Sequence, residues 1–244
     1  FQLATGSNQS SELQPVLLTG FQALPSGFGS KVVAIDAGFL HTCGLTETGK
    51  AGCWGSTPLG RRDRPVFLLD LLSGVTAVSA GSKHNCALTS GRKVLCWGED
   101  GFGQLTNGYS DSAFTPIEAA GLSGVANLMA AGGNRSCAAT NQSLTCWGEN
   151  DSGAGSSNVP VLVLGITGSN VKALTVGEYH GCALTLAGAV LCWGDNEFGQ
   201  LGNGGATPPL GTAVPVTGLS SGVLAISAGS FHTCALLGDR RVRC

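Results

Sequence analysis

The chain has 244 residues, enough for one large all-β domain or two ordinary domains. Charged residues make up 11% of it and the formal net charge is −2, so it lacks the basic surface that attracts nucleic acids or anionic membranes. Hydrophobic residues make up 43%, which argues against disorder, and no unbroken apolar run approaches the roughly 20 residues of a membrane span.

One block of sequence recurs along the chain. It consists of a Val-x-Ala alternation that ends in Gly, then His-x-Cys, and later Cys-Trp-Gly, and each of these three pieces predicts a short strand. The copies begin at Val33, Val75, Val125, Val171 and Val223. The fifth copy stops at its second cysteine, and the first three residues, Phe-Gln-Leu, resemble the Phe-Gly-Gln-Leu that follows Cys-Trp-Gly in two other copies. We therefore expect residues 1–30 to complete the fifth repeat.

Repeats of this size, with three to four antiparallel strands each, are typical of propeller blades. We predict an all-β fold, a single β-propeller domain over residues 1–244. Its repeats lie at about 31–74, 75–124, 125–170 and 171–221, with the fifth at 222–244 completed by 1–30. The visible repeats form either a closed five-bladed ring or an arc of a larger ring.

The ten cysteines predict five disulfides, because the chain has no Cys-x-x-Cys pair of the kind found in zinc ribbons and thioredoxin-like sites. Nine residues separate the two cysteines in most copies, which places them opposite each other across a hairpin. The predicted pairs are Cys43 with Cys53, Cys86 with Cys96, Cys137 with Cys146, Cys182 with Cys192, and Cys234 with Cys244. The alternative is bonding between neighbouring repeats. Either pattern indicates an extracellular or cell-surface protein.

The recurring block resembles the regulator of chromosome condensation repeat, and more closely its cysteine-bearing secreted versions. Residues 195–204, Asp-Asn-Glu-Phe-Gly-Gln-Leu-Gly-Asn-Gly, are close to that family's consensus. The resemblance covers nearly the whole chain and implies a propeller that serves as a rigid platform for protein partners. The family's common ring has seven blades, whereas five repeats are visible here. Paired cysteines and the acidic balance disfavour the family's nuclear nucleotide-exchange role.

The histidines occupy one repeat position, where the third copy has Arg135. They are His41, His84, His180 and His232. A ring of imidazoles could hold a metal, but a residue that recurs once per blade usually does the same packing or hydrogen-bonding work in each blade. The acidic loops after Cys-Trp-Gly could accept calcium, yet tight turns need the same residues. We expect no metal and no cofactor.

Two groups of surface residues are candidate sites. Asn-x-Ser sequons make Asn8, Asn134, Asn141 and Asn150 candidate glycosylation sites. A local concentration of positive charge, Arg61, Arg62 and Arg64, is a candidate partner-binding site for an acidic partner or a glycan. The alternative is that these arginines lie in a solvated loop between repeats.

The sequence contains no nucleophile elbow, His-Glu-x-x-His helix, phosphate-binding glycine loop or isolated cysteine, so we expect no enzyme activity. The first hypothesis is an extracellular scaffold whose loops bind a protein or carbohydrate partner. The alternatives are a structural subunit of a glycosylated cell-surface layer, sheath or filament, with copies of itself as partners, and a propeller-type enzyme inhibitor. We expect no nucleic-acid partner and no membrane insertion by this segment.

Overall fold

Five antiparallel sheets follow one another in the computed structural model, which describes residues 31–57, 60–149, 156–205 and 211–244. Each sheet is one blade of a propeller, and strands adjacent in sequence are adjacent in the sheet. The innermost strands of all five blades line a common central space of about 530 Å³. The predicted all-β propeller of five repeats is confirmed. The predicted completion of the fifth blade by residues 1–30 lies outside the described residues.

The strands have the following bounds. Blade 1 contains β1 (Val32–Ala37), β2 (His41–Thr46), β3 (Ala51–Thr57) and β4 (Gly60–Phe67). Blade 2 contains β5 (Val75–Ala80), β6 (His84–Thr89), β7 (Val94–Gly98) and β8 (Ala113–Glu118). Blade 3 contains β9 (Ala126–Gly132), β10 (Arg135–Thr140), β11 (Leu144–Gly148) and β12 (Ser157–Leu162). Blade 4 contains β13 (Val171–Val176), β14 (His180–Thr185), β15 (Val190–Gly194) and β16 (Val214–Pro215). Blade 5 contains β17 (Val223–Ala228), β18 (Thr233–Leu237) and β19 (Val242–Arg243).

The outermost strands β4, β8, β12 and β16 lie in segments between the recurring blocks, which the sequence presents as variable loops. These strands lack the regular alternation of the inner strands because most of their residues are half-buried or exposed. Two three-residue 3₁₀ helices, Leu69–Leu71 and Gly168–Asn170, precede inner strands. No helix in the described part of the chain is long and apolar enough to cross a membrane.

One disulfide joins the second and third strands within every blade, and the five pairs are those that the spacing predicts. They are Cys43–Cys53, Cys86–Cys96, Cys137–Cys146, Cys182–Cys192 and Cys234–Cys244, with Cα–Cα distances of 4.0 to 4.1 Å. In four blades the partners are ten positions apart and in blade 3 nine, because the β10–β11 turn is shorter there. The alternative of bonds between repeats is therefore wrong.

Consecutive blades pack through a repeated apolar contact. The disulfide and hairpin of one blade face the inner strand and the tryptophan of the next, so that Cys43 and Leu45 of blade 1 share a cluster with Val75 and Trp97 of blade 2. Equivalent clusters join blades 2 and 3, 3 and 4, and 4 and 5. Burial of these side chains is the main source of stability, because a single blade has no other surface on which to bury them.

The Gly at the end of each inner strand explains the Ala-Gly-x-x-His pattern. A Cβ atom on Gly81 would collide with the imidazole of His84, which lies against this glycine, and Gly38 and Gly177 have the same relation to the histidines of their own blades. Only a residue without a side chain leaves room for the ring at this position.

Three of the histidines join one blade to the next. Each Nε2 lies within hydrogen-bond distance of the side chain before the first cysteine of the following blade: His41 to Asn85 Oδ1 at 2.7 Å, His84 to Ser136 Oγ at 2.8 Å, and His180 to Thr233 Oγ1 at 2.7 Å. Ser136 donates its hydroxyl to the Gln104 carbonyl, so the Nε2–H of His84 is the donor to Ser136. Burial, the largest cause, lowers the pKa of His84 to about 3, and this imidazole is neutral at ordinary pH.

A second junction bond lies nearer the central space. A side-chain oxygen of the inner strand accepts a hydrogen bond from a backbone N–H of the next blade: Asp36 Oδ2 from Ala80 N at 3.0 Å, Ser79 Oγ from Ala131 N at 3.0 Å, and Thr175 Oγ1 from Ala228 N at 2.9 Å. Two polar bonds per junction fix the rotation of one blade against its neighbour, which apolar packing alone specifies less strictly.

The junction between blades 3 and 4 differs from the other three. In blade 3, Ala130 stands where the other inner strands have an oxygen-bearing side chain, and Arg135 stands where the other blades have the histidine. In blade 4, Gly181 stands where the side chain that bonds to the preceding blade's histidine would be. Arg135 is only 4% exposed, and a Cβ atom on Gly181 would lie 2.5 Å from Cζ2 of Trp193. This junction therefore combines a larger basic side chain in blade 3 with a residue that has no side chain in blade 4.

Candidate functional site

The turns after the inner strands and the loops after the Cys-Trp-Gly strands lie at the same end of the blades, because β2 begins opposite the end of β3. We call this end the turn face. The tips of the hairpins between the second and third strands lie at the opposite end, which we call the hairpin face. Loops and turns that a repeated scaffold holds in place are where binding residues are most often found.

Three aromatic side chains of blades 4 and 5 meet on the turn face. The rings of Tyr179 and Phe231 have centroids 6.0 Å apart, and those of Phe198 and Phe231 are 5.4 Å apart in an edge-to-face arrangement. Phe198 is 67% exposed and Phe231 is 46% exposed. We call Tyr179, Phe198 and Phe231 the aromatic cluster. Ring separations of this size are favourable for aromatic pairs, so the three side chains support one another although solvent reaches them.

Backbone hydrogen bonds hold the segments of the aromatic cluster together. Glu178 N donates to Ser230 O at 3.0 Å across the blade 4–5 junction, and Asp195 N donates to Tyr179 O at 2.9 Å within blade 4. The backbone N–H of Phe198 donates to Oε1 of the buried Gln200 at 2.8 Å. The exposed rings therefore project from a backbone that is fixed on both blades.

Carboxylates surround the aromatic cluster. Glu178 precedes Tyr179 and Glu197 precedes Phe198 in sequence, and the backbone of Asp195 is bonded to that of Tyr179. Glu149 of blade 3 is close enough to Glu178 to repel it. Burial, and then the charge of Glu149, raise the pKa of Glu178, while the nearby Arg135 guanidinium opposes that rise. Burial also lowers the pKa of His180 to about 4, so the histidine beneath the cluster contributes no positive charge at ordinary pH. Glu197 and the half-buried Glu178 therefore place negative charge beside the cluster, while Arg243 of blade 5 lines the pocket next to Phe198.

The central space is polar and its lining comes from backbone as much as from side chains. Asp36, Ser79 and Thr175 point toward it but are engaged in the junction bonds described above. Within the part of the chain that the structure describes, no group of three or more His, Cys, Asp or Glu side chains could hold a metal ion. The space therefore offers mainly hydrogen-bonding surface.

The acidic loops after Cys-Trp-Gly use their oxygens to close turns. Asp100 Oδ1 accepts a hydrogen bond from Leu105 N at 2.8 Å, and Asn196 Oδ1 accepts one from Leu201 N at 3.0 Å. These bonds account for the Asp and Asn positions without a calcium ion, since closing a turn requires the same oxygen atoms.

The predicted arginine site lies on β4, the outer strand of blade 1. Arg61 and Arg62 are exposed and pair with Ser56 and Gly55 of β3, and the side chain of Arg64 lies outside the described residues. The structure thus places Arg61 and Arg62 on a strand rather than in a loop, away from the aromatic cluster on blades 4 and 5. Their proposed role in partner binding stays a prediction.

The sequons fall at different ends of the propeller. Asn134 immediately precedes β10 on the turn face, and Asn141 follows β10 at the tip on the hairpin face. Asn8 and Asn150 lie outside the described residues.

Sequence reasoning missed the aromatic cluster. Tyr179 and Phe231 occupy the same repeat position, directly before the histidine, where blades 2 and 3 have Lys83 and Asn134. Comparing only the variable positions across the repeats would have shown that this position becomes aromatic in two adjacent blades. The contribution of Phe198 depends on side-chain direction, which the repeat alignment does not give.

Two family models of the regulator of chromosome condensation (RCC1) repeat match the chain, one at residues 32–60, 75–104 and 171–200 and the other at residues 187–236. Together these segments make up half of the sequence. The chain belongs to the RCC1 repeat family. The two disulfide-forming strands of each matched RCC1 repeat are those described above as the second and third strands of a blade.

Similar proteins are found in several organisms. Protein pim1 of Schizosaccharomyces pombe is 33% identical over 96 residues, which are 34% of this chain and 18% of pim1. The crystal structure of human WBSCR16 superimposes with a TM-score of 0.76 at 22% identity, over 88% of this chain and 59% of that one. The CRINKLY WD40 ectodomain of the Arabidopsis thaliana receptor kinase ACR4 gives a TM-score of 0.54 at 22% identity, over 88% of this chain and 62% of that one. The chain therefore covers less than two thirds of each, and at these identities the two structures show the fold.

Proposed function

We propose that this chain is an extracellular, non-catalytic scaffold that binds a protein partner through the aromatic cluster. The observation that carries the proposal is the exposure of Phe198 and Phe231, which remain in contact with each other at the surface of a rigid blade pair. Large aromatic side chains that are held in place before binding lose little conformational entropy on binding, and aromatic residues, phenylalanine included, are enriched in protein interfaces.

The disulfides support an extracellular location. All ten cysteines of the chain are paired, and each pair joins two strands of one blade. Disulfides of this number form and persist in oxidising compartments and are rare in the cytosol. The ACR4 domain, which shares the fold, is an ectodomain of a receptor kinase. Three of the histidines, the residues best suited to acid–base catalysis, are hydrogen-bonded at blade junctions, which supports a non-catalytic role.

The carboxylates around the cluster define the chemistry of the partner. Glu197 is exposed beside Phe198, Glu178 precedes Tyr179, and Asp195 N donates a hydrogen bond to Tyr179 O at 2.9 Å. A partner with an apolar anchor and neighbouring Lys or Arg side chains would match both features of this surface. Charge complementarity of this kind mainly raises the association rate, so the rate should fall as salt is added.

The test is a binding screen with matched variants. The purified chain is applied to an array of extracellular proteins and glycans, and each binder is measured again with Phe198→Ser, Phe231→Ser and Phe102→Ser. Phe102 is the control because it occupies the position of Phe198 in blade 2 and is 40% exposed, but lies outside the aromatic cluster. We expect Phe198→Ser and Phe231→Ser to weaken binding by about tenfold or more, which corresponds to about 1.4 kcal/mol, and Phe102→Ser to leave it unchanged.

Equal affinities for all four proteins would overturn the proposal for this surface. If a glycan binds the chain and its affinity falls in the same two variants, the aromatic cluster is the binding site but the partner is a glycan and not a protein. Thermal unfolding of each variant shows whether a loss of binding reflects a loss of folded protein.

A further inference from the structure

The two described sequons differ in what their asparagine side chains do. We infer that Asn141 is the acceptor of an N-linked glycan and that Asn134 is not. The inference rests on the proposed extracellular function, since only a chain that enters a secretory pathway meets the glycosylation machinery. Both residues flank β10, so the same strand separates a usable sequon from an unusable one.

Asn141 is exposed at the tip of the β10–β11 hairpin. Its Oδ1 accepts a hydrogen bond from Val125 N at 3.0 Å, which turns the Nδ2 atom, the site of glycan attachment, away from the backbone. Among the described residues Nδ2 of Asn141 makes no hydrogen bond, and the following Gln142 is also exposed. A glycan on this nitrogen therefore breaks no contact of the folded blade.

Asn134 is in the opposite situation. Its Nδ2 donates to Oε2 of Glu149 at 2.9 Å, and the serine of its sequon, Ser136, is buried in the blade 2–3 junction with His84. The preceding Gly133 packs closely against the backbone of Glu178, beside the aromatic cluster. A glycan at Asn134 would replace one of the two Nδ2 hydrogens next to Glu149 and would cover the turn face.

An apolar groove beside the Asn141 tip gives the glycan a surface to cover. The groove is open, has a volume of about 490 Å³, and is lined by Gln142 and Ser143 together with Leu162, Leu164 and Ile166. Leu162 is 49% exposed and Leu164 is 53% exposed. The apolar faces of the first sugar residues would shield these side chains, which are otherwise a site for non-specific association.

The distance between the two ends of β10 keeps the glycan away from the aromatic cluster. Six residues of an extended strand span roughly 20 Å, so Asn141 and the turn face lie on opposite sides of the propeller. A glycan at Asn141 can protect the hairpin face of blade 3 while a partner occupies the aromatic cluster.

The test is expression of the full chain with a secretion leader in a eukaryotic host, with Asn8→Gln and Asn150→Gln introduced so that only the two described sequons remain. Intact mass is measured before and after treatment with an amidase that releases N-linked glycans. We expect one glycan, which is retained in Asn134→Gln and lost completely in Asn141→Gln. Loss of the glycan in Asn134→Gln, or secretion of a chain that carries no glycan, overturns the inference.

A second pair of variants separates glycosylation from the folding role of Asn141. Ser143→Ala removes the sequon and leaves the Asn141 bond to Val125 intact, whereas Ser143→Thr keeps the sequon. We expect Ser143→Ala alone to lose the glycan and to bind more of a fluorescent dye that reports exposed apolar surface. Equal dye binding by the two variants shows that the glycan does not cover the groove.

The outcome is independent of the partner screen. If the chain is glycosylated but Phe198→Ser does not change its affinity for a partner, only the proposed partner site is contradicted. An unglycosylated chain that binds through the aromatic cluster contradicts only this inference.

Discussion

The loops at residues 100–107 in blade 2 and 196–203 in blade 4 follow the same strand and have closely similar sequences, yet their surroundings differ. In both loops the side chain of a buried glutamine accepts a hydrogen bond from the backbone of a phenylalanine, at 2.9 Å in blade 2 and 2.8 Å in blade 4. The loop of blade 2 packs on β12 of blade 3, where Thr106 Oγ1 donates to Asn158 O at 3.0 Å. The loop of blade 4 has no such covering contact at Gly199 among the described residues.

The comparison shows that local sequence sets the shape of the loop and the neighbouring blade sets the cost of changing it. Blade 2 carries Asp100 and Thr106 where blade 4 carries Asn196 and Gly202. Thr106 adopts a positive φ of 47°, which a β-branched residue seldom does, and Gly202 adopts 59° at the same position without strain. The hydroxyl of Thr106 offsets this strain by bonding to blade 3.

The largest difference between the loops should appear at their matched glycines. Gly103 and Gly199 both have a φ of 78°, so alanine is strained at either site. A Cβ atom at Gly103 would also lie 2.7 Å from the Cα of Asn158, whereas none of the described residues lies within 4 Å of one at Gly199. We expect Gly103→Ala to lower the free energy of unfolding by about 3 kcal/mol and Gly199→Ala by about 1 kcal/mol.

Guanidinium unfolding with the disulfides intact, followed by tryptophan fluorescence, measures both values. Equal losses in the two variants would show that β12 moves aside readily and that the loop of blade 2 is no more constrained than that of blade 4.

The second difference is the pH dependence that Asp100 introduces. This carboxyl is fully buried, and burial raises its pKa to about 6 despite the hydrogen bond from Leu105 N. The folded state therefore holds the proton of Asp100 more tightly than the unfolded state does. The resulting contribution to the free energy of unfolding is complete below about pH 4 and is lost as the pH rises through about 6. We expect Asp100→Asn to match the natural chain at pH 4 and to be about 3 kcal/mol more stable at pH 8.

The reciprocal change in blade 4 is the control for this prediction. In the natural chain Nδ2 of Asn196 donates to Oδ1 of Asn203 at 3.1 Å, so Asn196→Asp replaces a donor with a carboxylate oxygen. We expect Asn196→Asp to lose stability at pH 8, and by less than Asp100→Asn gains, because Asn196 is only half-buried. If the stability difference between Asp100→Asn and the natural chain were the same at pH 4 and pH 8, Asp100 would not titrate in this range.

The sequence predicts the framework of these blades well, because a covalent and steric pattern repeats in it. The spacing of Cys86 and Cys96 gives the pairing of β6 with β7, and the Gly81–His84 pattern gives the turn between β5 and β6. The outer strand β8 could not be predicted in the same way. Its residues are largely exposed or half-buried, so no strict alternation marks it.

Contacts between blades were the part that sequence reasoning could not reach. Arg135 visibly departs from the histidine pattern, but its relation to Gly181 depends on which residue of blade 4 faces it. The aromatic cluster is hidden for the same reason, since Phe198 and Phe231 are brought together by the packing of blade 5 on blade 4. The contacts of residues at the blade junctions therefore follow from the packing of the blades and cannot be deduced from the repeat pattern.

The smallest expected effect concerns the ion pair that stands in blade 2 where blade 4 has part of the aromatic cluster. Lys83 and Glu99 occupy the positions of Tyr179 and Asp195, and Lys83 Nζ lies 3.2 Å from Glu99 Oε1. Their side chains are 60% and 51% exposed, so water and salt screen the pair on all sides. The backbone bond from Glu99 N to Lys83 O, which blade 4 also has, does not depend on either side chain.

We therefore expect Lys83→Ala to change the free energy of unfolding by less than about 0.5 kcal/mol. The measurement is thermal unfolding at low and at physiological salt, without guanidinium because this denaturant is itself a salt that screens the pair. Glu99→Ala is the matched variant. A loss above about 1 kcal/mol that disappears with added salt would show that the pair stabilises the turn face of blade 2. In that case an ion pair would do in blade 2 what ring packing does in blade 4, and the difference between these two blades would extend from binding to stability.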